Sequence, residues 1–295
     1  MGLTILFGLF FLTLIVGVPV AFALGIAAAG AFLYEGIPLF VAFQRIVAGI
    51  SAYALLAIPF FIFAGELMLH GGAAHRLVRF VASAVGSVRG GLGLVDVGSS
   101  MLFGGISGSA VADTSALGAI LMPVMKEKGY DADYAVNVTV TSSVAGVVVP
   151  PSHNIILYVV AAGGSISVSK LFMGGIIPGV VMCLCLAIAA YLVAVRRGYP
   201  AEKFPGWRTL LVSFAASVPA MLTAVIIVGG TLSGVMTVIE SGAFGAIYAV
   251  VVTALVYREL SWSSFKAAVA SSVRTTALVM ILVGCASAFG YMLAL

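Results

Sequence analysis

The sequence predicts an all-α, polytopic membrane protein, and three observations lead there. Of its 295 residues, 62% are hydrophobic and only 8% are charged, against about 25% charged in soluble domains. Apolar runs recur along the whole chain, near the length of about 20 residues that lets a helix cross a hydrocarbon core roughly 30 Å thick. Most of the basic residues sit in the gaps between runs: Arg76, Arg79 and Arg89; Lys126 and Lys128; Arg196, Arg197, Lys203 and Arg208; Arg258. That is how membrane-protein loops look. The net charge of +4 adds little, because the cations form no patch interleaved with aromatics, and nucleic acid is not an expected partner.

The elements follow from the runs and their breakers. Leu3 to Leu33 is too long for one span and is interrupted at Gly17-Val18-Pro19, which predicts a kinked span or a span plus a re-entrant piece. It lacks the basic start and small-residue cleavage site of a signal peptide. Ala52 to Leu69 is a second span, with Pro59 inside it. Gly90 to Phe103 and Thr114 to Met125 are each too short to cross. Tyr134 to Val149 runs into Pro150-Pro151 and continues as Ile155 to Ala162. Leu171 to Val195 spans, and a polar linker, 196–208, follows. Leu210 to Val228, Gly242 to Tyr257 and Thr275 to Leu295 complete the set. The linker divides a first membrane half, 1–195, from the start of a second, 209–295. Cys183, Cys185 and Cys285 lie in apolar runs and read as small buried hydrophobes.

Two stretches break the rules for passive membrane helices. The first is the Gly/Ser tip Gly104 to Ser109, followed by Asp113. Two half-length apolar pieces joined by such a tip predict a re-entrant hairpin over about 91–125. Non-helical backbone at membrane depth is tolerated only when buried in protein or lining a wet cavity. The tip supplies carbonyl and hydroxyl oxygens, the hard ligands an alkali cation prefers. A half-helix starting near Ser109 also aims N–H groups and a positive dipole end at an anion, with Ser109 or Asp113 as its cap. The plain alternative is a small polar loop. Asp113 itself has two readings, an intramembrane carboxylate that needs a partner or a function, or an ordinary first-turn residue near water.

The second stretch is Val149-Pro150-Pro151-Ser152-His153-Asn154. Two prolines remove two backbone donors and crowd the preceding turn, so a break is expected over about 134–162, with polar residues directly after it. A discontinuous helix of this kind is a sequence pointer to a transporter site. Two spans joined by a tight turn is the alternative, and the shortness of both pieces argues against it. His153 has no second His, Cys or carboxylate at ligand spacing, so capping or hydrogen bonding is expected of it rather than metal binding. Glu66 reads as interfacial, with a buried partner for a basic residue as the alternative. Gly229 to Gly234 with Thr237 to Glu240 reads as a third break, either an unwound segment or a loop between spans. There is no P-loop, H-E-x-x-H, paired-cysteine or Gly-x-Ser-x-Gly motif, so an enzyme is not expected.

With these residues in view, the chain resembles the large membrane subunit of tripartite ATP-independent periplasmic (TRAP) transporters. The likeness lies in residues 17–23, 57–66 and 103–113, then in Gly129-Tyr130-Asp131, Pro150-Pro151-Ser152, Leu171-Phe172 and Ile177-Pro178-Gly179. The resemblance implies an elevator-type secondary transporter with inverted repeats, in the bacterial inner membrane. It implies sodium as coupling ion, an organic acid such as a dicarboxylate as solute, a periplasmic substrate-binding protein, and a small four-helix membrane subunit. Carried over, the first-repeat cation and substrate ligands are Ser107, Gly108 and Ser109, with Asp113 beside them, and Val149, Pro150, Pro151, Ser152 and Asn154. One departure stands out. The family's second hairpin and second Pro-Pro break have no counterpart after the linker, and the sequence stops at Leu295 inside an apolar run. The expectation is a C-terminally truncated chain. A non-transporting membrane scaffold or assembly subunit is the competing function. An intramembrane enzyme built on Ser152 and His153 is disfavoured, since adjacent helical residues point about 100° apart.

Overall fold

The computed structural model describes residues 1–163 and 166–295. Thirteen α-helices and no strand occur among the described residues. Five helices are long and apolar enough to cross a membrane, and one bent pair makes a sixth candidate. The chain is therefore a multi-pass, all-α membrane protein. It folds as two compact units, residues 1–56 with 273–295, and residues 57–272. The second unit contains both flanks of the 196–208 linker, so compactness divides the chain differently from composition.

In the first unit, the run from Leu3 to Leu33 is not one kinked span. It forms α1 (Gly2–Ile15) and α2 (Val20–Tyr34). The two lie antiparallel, with Gly30 facing Leu9 and Gly2 facing Glu35. The reversal is local chemistry: Gly17 takes a left-handed φ of 89°, open to glycine without steric cost, and Pro19 stands as the N-cap of α2. A helix that the apolar-run reading passed over, α3 (Leu39–Ile50), follows Pro38. Leu6, Ala27, Ala31, Phe32 and Ala42 make this unit's core with Ala288, Phe289 and Met292.

The second unit holds α4 (Ala57–His70), α5 (Ala73–Val85), α6 (Gly91–Ser107), α7 (Ala110–Glu127), α8 (Ala132–Val148) and α9 (His153–Ala161). These are followed by α10 (Val168–Arg196), α11 (Trp207–Leu232), α12 (Val238–Val251) with a π-turn over Val252–Val256, and the start of α13 (Trp262–Ala294). Helices α4 and α12 run parallel, since Phe61 meets Gly242 and Gly71 meets Thr253. Pro219 lies inside α11, where it interrupts the helical bond ladder. The Tyr257 hydroxyl repairs the gap, accepting from Ala220 N at 3.0 Å and donating to Ala216 O at 3.0 Å.

The linker is exposed along most of its length, but Tyr199 is buried against the ring of Tyr130 at 4.4 Å. Pro200 O accepts from Gly90 N at 3.1 Å, and Lys128 pairs with Glu202. These contacts gather residues 89–90, 128–131 and 197–202 at one end of the unit. The third Gly/Ser/Thr stretch is an ordinary loop. Residues 233–237 connect α11 to α12, and Thr237 with Glu240 forms a reciprocal capping box. Cys183 and Cys285 are buried, but Cys185 is exposed, because residues two apart on a helix face different ways.

Candidate functional site: two facing helix breaks

The hairpin tip is two residues long. Helix α6 ends where Gly108 adopts φ 64°, and its N–H closes on Gly104 O at 2.7 Å. Ser109 then caps α7, its hydroxyl accepting from Ala112 N at 3.3 Å. Asp113 does not cap; its own N–H bonds to Ser109 O at 2.9 Å, and its side chain is fully buried. Ser107 turns inward, its hydroxyl on Gly104 O at 3.4 Å.

The second break spans Val149 to Ser152. Val149 leaves the helix in extended conformation, the Pro150–Pro151 bond is cis, and Ser152 caps α9 by accepting from Asn154 N at 3.3 Å. The axes of α8 and α9 differ by 59°. The sequence reading of a broken helix therefore matches the observed geometry. Pro150, Pro151 and Ser152 are buried, and Val149 is half-buried.

The two breaks face each other. Asn154 Nδ2 donates to Gly108 O at 2.9 Å. A Cβ at Gly105 would stand 3.1 Å from Val149 O and 3.3 Å from Pro150 O, and one at Gly104 would stand 2.9 Å from Gly146 Cα. A Cβ at Gly65 of α4 would stand 2.8 Å from Ser107 Cα. The glycines are what allow three backbones to meet here. The C-terminal ends of α6 and α8 and the N-terminal ends of α7 and α9 thus converge. Carbonyl ends attract cations, and N–H ends attract anions.

Behind the tip runs a buried polar seam. Asp96, Ser99 and Ser100 of α6, Asp113 of α7, and Thr139, Ser142 and Ser143 of α8 are all fully buried. Thr139 donates to Asp96 Oδ2 at 2.5 Å, Ser142 to Asp96 Oδ1 at 3.4 Å, and Ser100 to Ser142 at 3.0 Å. Neither Asp113 oxygen has a hydrogen-bond partner among the described residues. Of its two sequence readings, the near-water one fails; the carboxylate is interior. His153 Nδ1 is also without a partner there, and it sits over Gly108, 2.5 Å from where a Cβ would be.

Residues 7–295 match the family described as tripartite ATP-independent periplasmic transporter, DctM component. The chain belongs to this family. Among its relatives, the 2,3-diketo-L-gulonate TRAP transporter large permease protein YiaN of Escherichia coli is 35% identical, over 94% of this chain and 65% of its own length. The sialic acid TRAP transporter large permease protein SiaM of Vibrio cholerae is 36% identical, over 95% and 66%. The C4-dicarboxylate TRAP transporter large permease protein DctM of Rhodobacter capsulatus is 30% identical, over 100% and 70%. The chain spans about two thirds of the length of these curated relatives. The DctM family consists of transport permeases rather than enzymes.

In this DctM-family chain, all nine residues singled out from sequence lie at the two breaks or directly behind them. Sequence reasoning missed Asp96, Ser100, Thr139 and Ser142. A carboxylate inside the apolar run Leu94-Val95-Asp96-Val97, with a serine one turn on, was the available signal. The spacing of Thr139, Ser142 and Ser143, at i, i+3 and i+4, puts all three on one helix face. Glu66 is half-buried: its side chain is 14% exposed, lies 3.6 Å from His70 Nδ1 and accepts from Ser271 at 2.7 Å.

Proposed function

We propose that this chain is the large membrane subunit of a sodium-driven, binding-protein-dependent uptake system for an organic acid in the bacterial inner membrane. In this reading the two facing breaks carry the first-repeat half of the cation and substrate site. Backbone carbonyls at Ser107, Gly108, Val149 and Pro150, with the hydroxyls of Ser109 and Ser152, offer sodium hard oxygen ligands. The N-terminal ends of α7 and α9, with Asn154, face the solute carboxylate. A periplasmic substrate-binding protein delivers the solute, and a small four-helix membrane subunit completes the complex.

The observation that carries the reading is the Asn154–Gly108 bond, which brings four helix ends together at two non-helical turns. Non-helical turns at membrane depth are tolerated only where buried in protein or lining a wet cavity, and a passive scaffold has no use for two that converge. The names of the relatives, which range over a C4-dicarboxylate, sialic acid and 2,3-diketo-L-gulonate, support an organic acid as the class. The test is sodium-dependent uptake by the complete system. Ser109→Leu and Asn154→Leu at normal protein levels are expected to abolish or severely reduce it. Uptake equal to the parent in both variants refutes the site, and uptake indifferent to sodium refutes the coupling ion.

A further inference from the structure

A cavity of about 290 Å³ opens between α5, α11 and the loop after the π-turn, lined by His75, Arg76, Arg79, Ser213, Ala216 and Glu259. Its charges are unequal in their commitments. Arg76 is fully engaged: Nη2 donates to Glu259 at 2.7 Å, Nη1 to Gly72 O at 3.0 Å, and the guanidinium lies 3.9 Å over the Tyr257 ring. Ser213 is likewise engaged, sharing a hydrogen bond with Ser83 at 2.7 Å. Arg79 is exposed and makes no hydrogen bond or ion pair among the described residues. With Glu259 cancelled by Arg76, the cavity keeps the charge of Arg79.

The surroundings are those of a membrane interface. Leu211, Val212 and Phe214 of α11 are exposed beside Ser213, and Trp262 is exposed at the start of α13. Apolar side chains of this kind on a membrane helix face lipid, and tryptophans gather at headgroup depth. The side of the membrane also follows. The end of residues 57–272 that holds the 89–90, 128–131 and 197–206 segments carries Arg89, Lys128, Arg197 and Lys203. Ser83 on Ser213 places the C-terminal half of α5 toward that end. The opposite connection, residues 233–237 between α11 and α12, has no Lys or Arg. Excess Lys and Arg marks the cytoplasmic side, where the leaflet is anionic and basic pockets between helices bind acidic headgroups.

We propose that this cavity binds the phosphate of an anionic phospholipid of the cytoplasmic leaflet, with Arg79 as the principal cation and the acyl chains along the exposed face of α11. None of its lining residues belongs to the two helix breaks, so the site is independent of solute binding.

The test is thermal melting of the purified protein in neutral detergent, titrated with phosphatidylglycerol or phosphatidylcholine. Phosphatidylglycerol is expected to raise the melting temperature of the parent and phosphatidylcholine is not. Arg79→Gln is expected to lose most of the shift, while R79K and the off-site R208Q keep it. Should R79Q fail to fold, Ala216→Glu, which sets a second carboxylate at an exposed position in the cavity, is expected to show the same loss. An undiminished phosphatidylglycerol shift in R79Q, or in A216E where that variant is read, overturns the proposal. So does an equal shift from inorganic phosphate alone, which would make the site one for a free anion.

Discussion

Asn154 Nδ2 donates to the carbonyl oxygen of Gly108 at 2.9 Å, across 46 residues of sequence. Each residue belongs to a break: Gly108 ends α6 in a left-handed conformation, and Asn154 opens α9 just after the two prolines. A carbonyl at a helix C-terminus has no intrahelical donor, and here a side chain from the other break supplies one. The bond therefore fixes the register of the two breaks. A shift of either by one residue would remove it.

The same turn makes Gly108 intolerant of a side chain. Its φ of 64° costs about 1–2 kcal/mol for an L-residue, and a Cβ would stand 2.5 Å from His153 Nδ1 and 3.3 Å from His153 N. Gly108→Ala is expected to lower the melting temperature of the purified protein clearly. The double variant G108A/H153A relieves the clash with the imidazole but not the backbone strain, so it is expected to recover part of the loss relative to H153A alone. Full additivity of the two substitutions would mean that the ring and the turn are not coupled.

Thr139 tests the buried seam. Its hydroxyl donates to Asp96 Oδ2 at 2.5 Å and is bonded to Ala135 O at 2.9 Å. Valine has the same shape but no donor, so Thr139→Val leaves a buried carboxylate oxygen short of its partner, at about 1–3 kcal/mol. Thr141, two residues on, is exposed and bonds only within its own helix. Thr141→Val is expected to change stability by no more than about 0.5 kcal/mol. Equal effects of the two substitutions on thermal or denaturant unfolding would show that the seam contributes nothing.

What was legible in the sequence follows from backbone chemistry. Gly108 in its left-handed conformation and the Pro150-Pro151 pair end the helices before them, so both breaks were readable, although Gly104 to Ser107, which composition assigns to the tip, stay helical in α6. The reversal at Gly17-Val18-Pro19 was readable as an interruption only. Whether a chain kinks or folds back depends on what it packs against, and the pairing of Leu9 with Gly30 is a tertiary fact. Glu66 lies near the end of an apolar run, and the rule that charges seek the interface points it outward. One neighbour, His70 at i+4, is local, but Ser271, which donates to Glu66, is 205 residues away, beyond the reach of any local pattern. Asp96 was missed for a different reason: it is a lone charge whose two hydroxyl partners, Thr139 and Ser142, look like ordinary small membrane residues until α6 and α8 are brought together.

The loop end of the second unit makes a prediction about acid. Arg197 forks onto Asp133 with two bonds of 2.9 and 2.8 Å and reaches Asp131 at 2.8 Å, while the Tyr199 hydroxyl donates to Asp131 at 2.7 Å. The Tyr199 hydroxyl first, and Arg197 second, hold the Asp131 carboxyl below its usual value of 3.8. A carboxyl depressed in the folded state stays ionised where the unfolded chain already takes up a proton. Its stabilisation is therefore complete above about pH 5 and is lost as pH falls through the usual value toward the folded one. Arg197→Gln removes the fork. The variant is expected to melt below the parent by a constant margin from neutral pH down to mild acid, and the margin should then close in stronger acid. Because the groups are exposed, added salt is expected to narrow it at every pH. A margin that persists unchanged below the carboxylate range would mean that Arg197 acts through packing of its stem rather than through its charge.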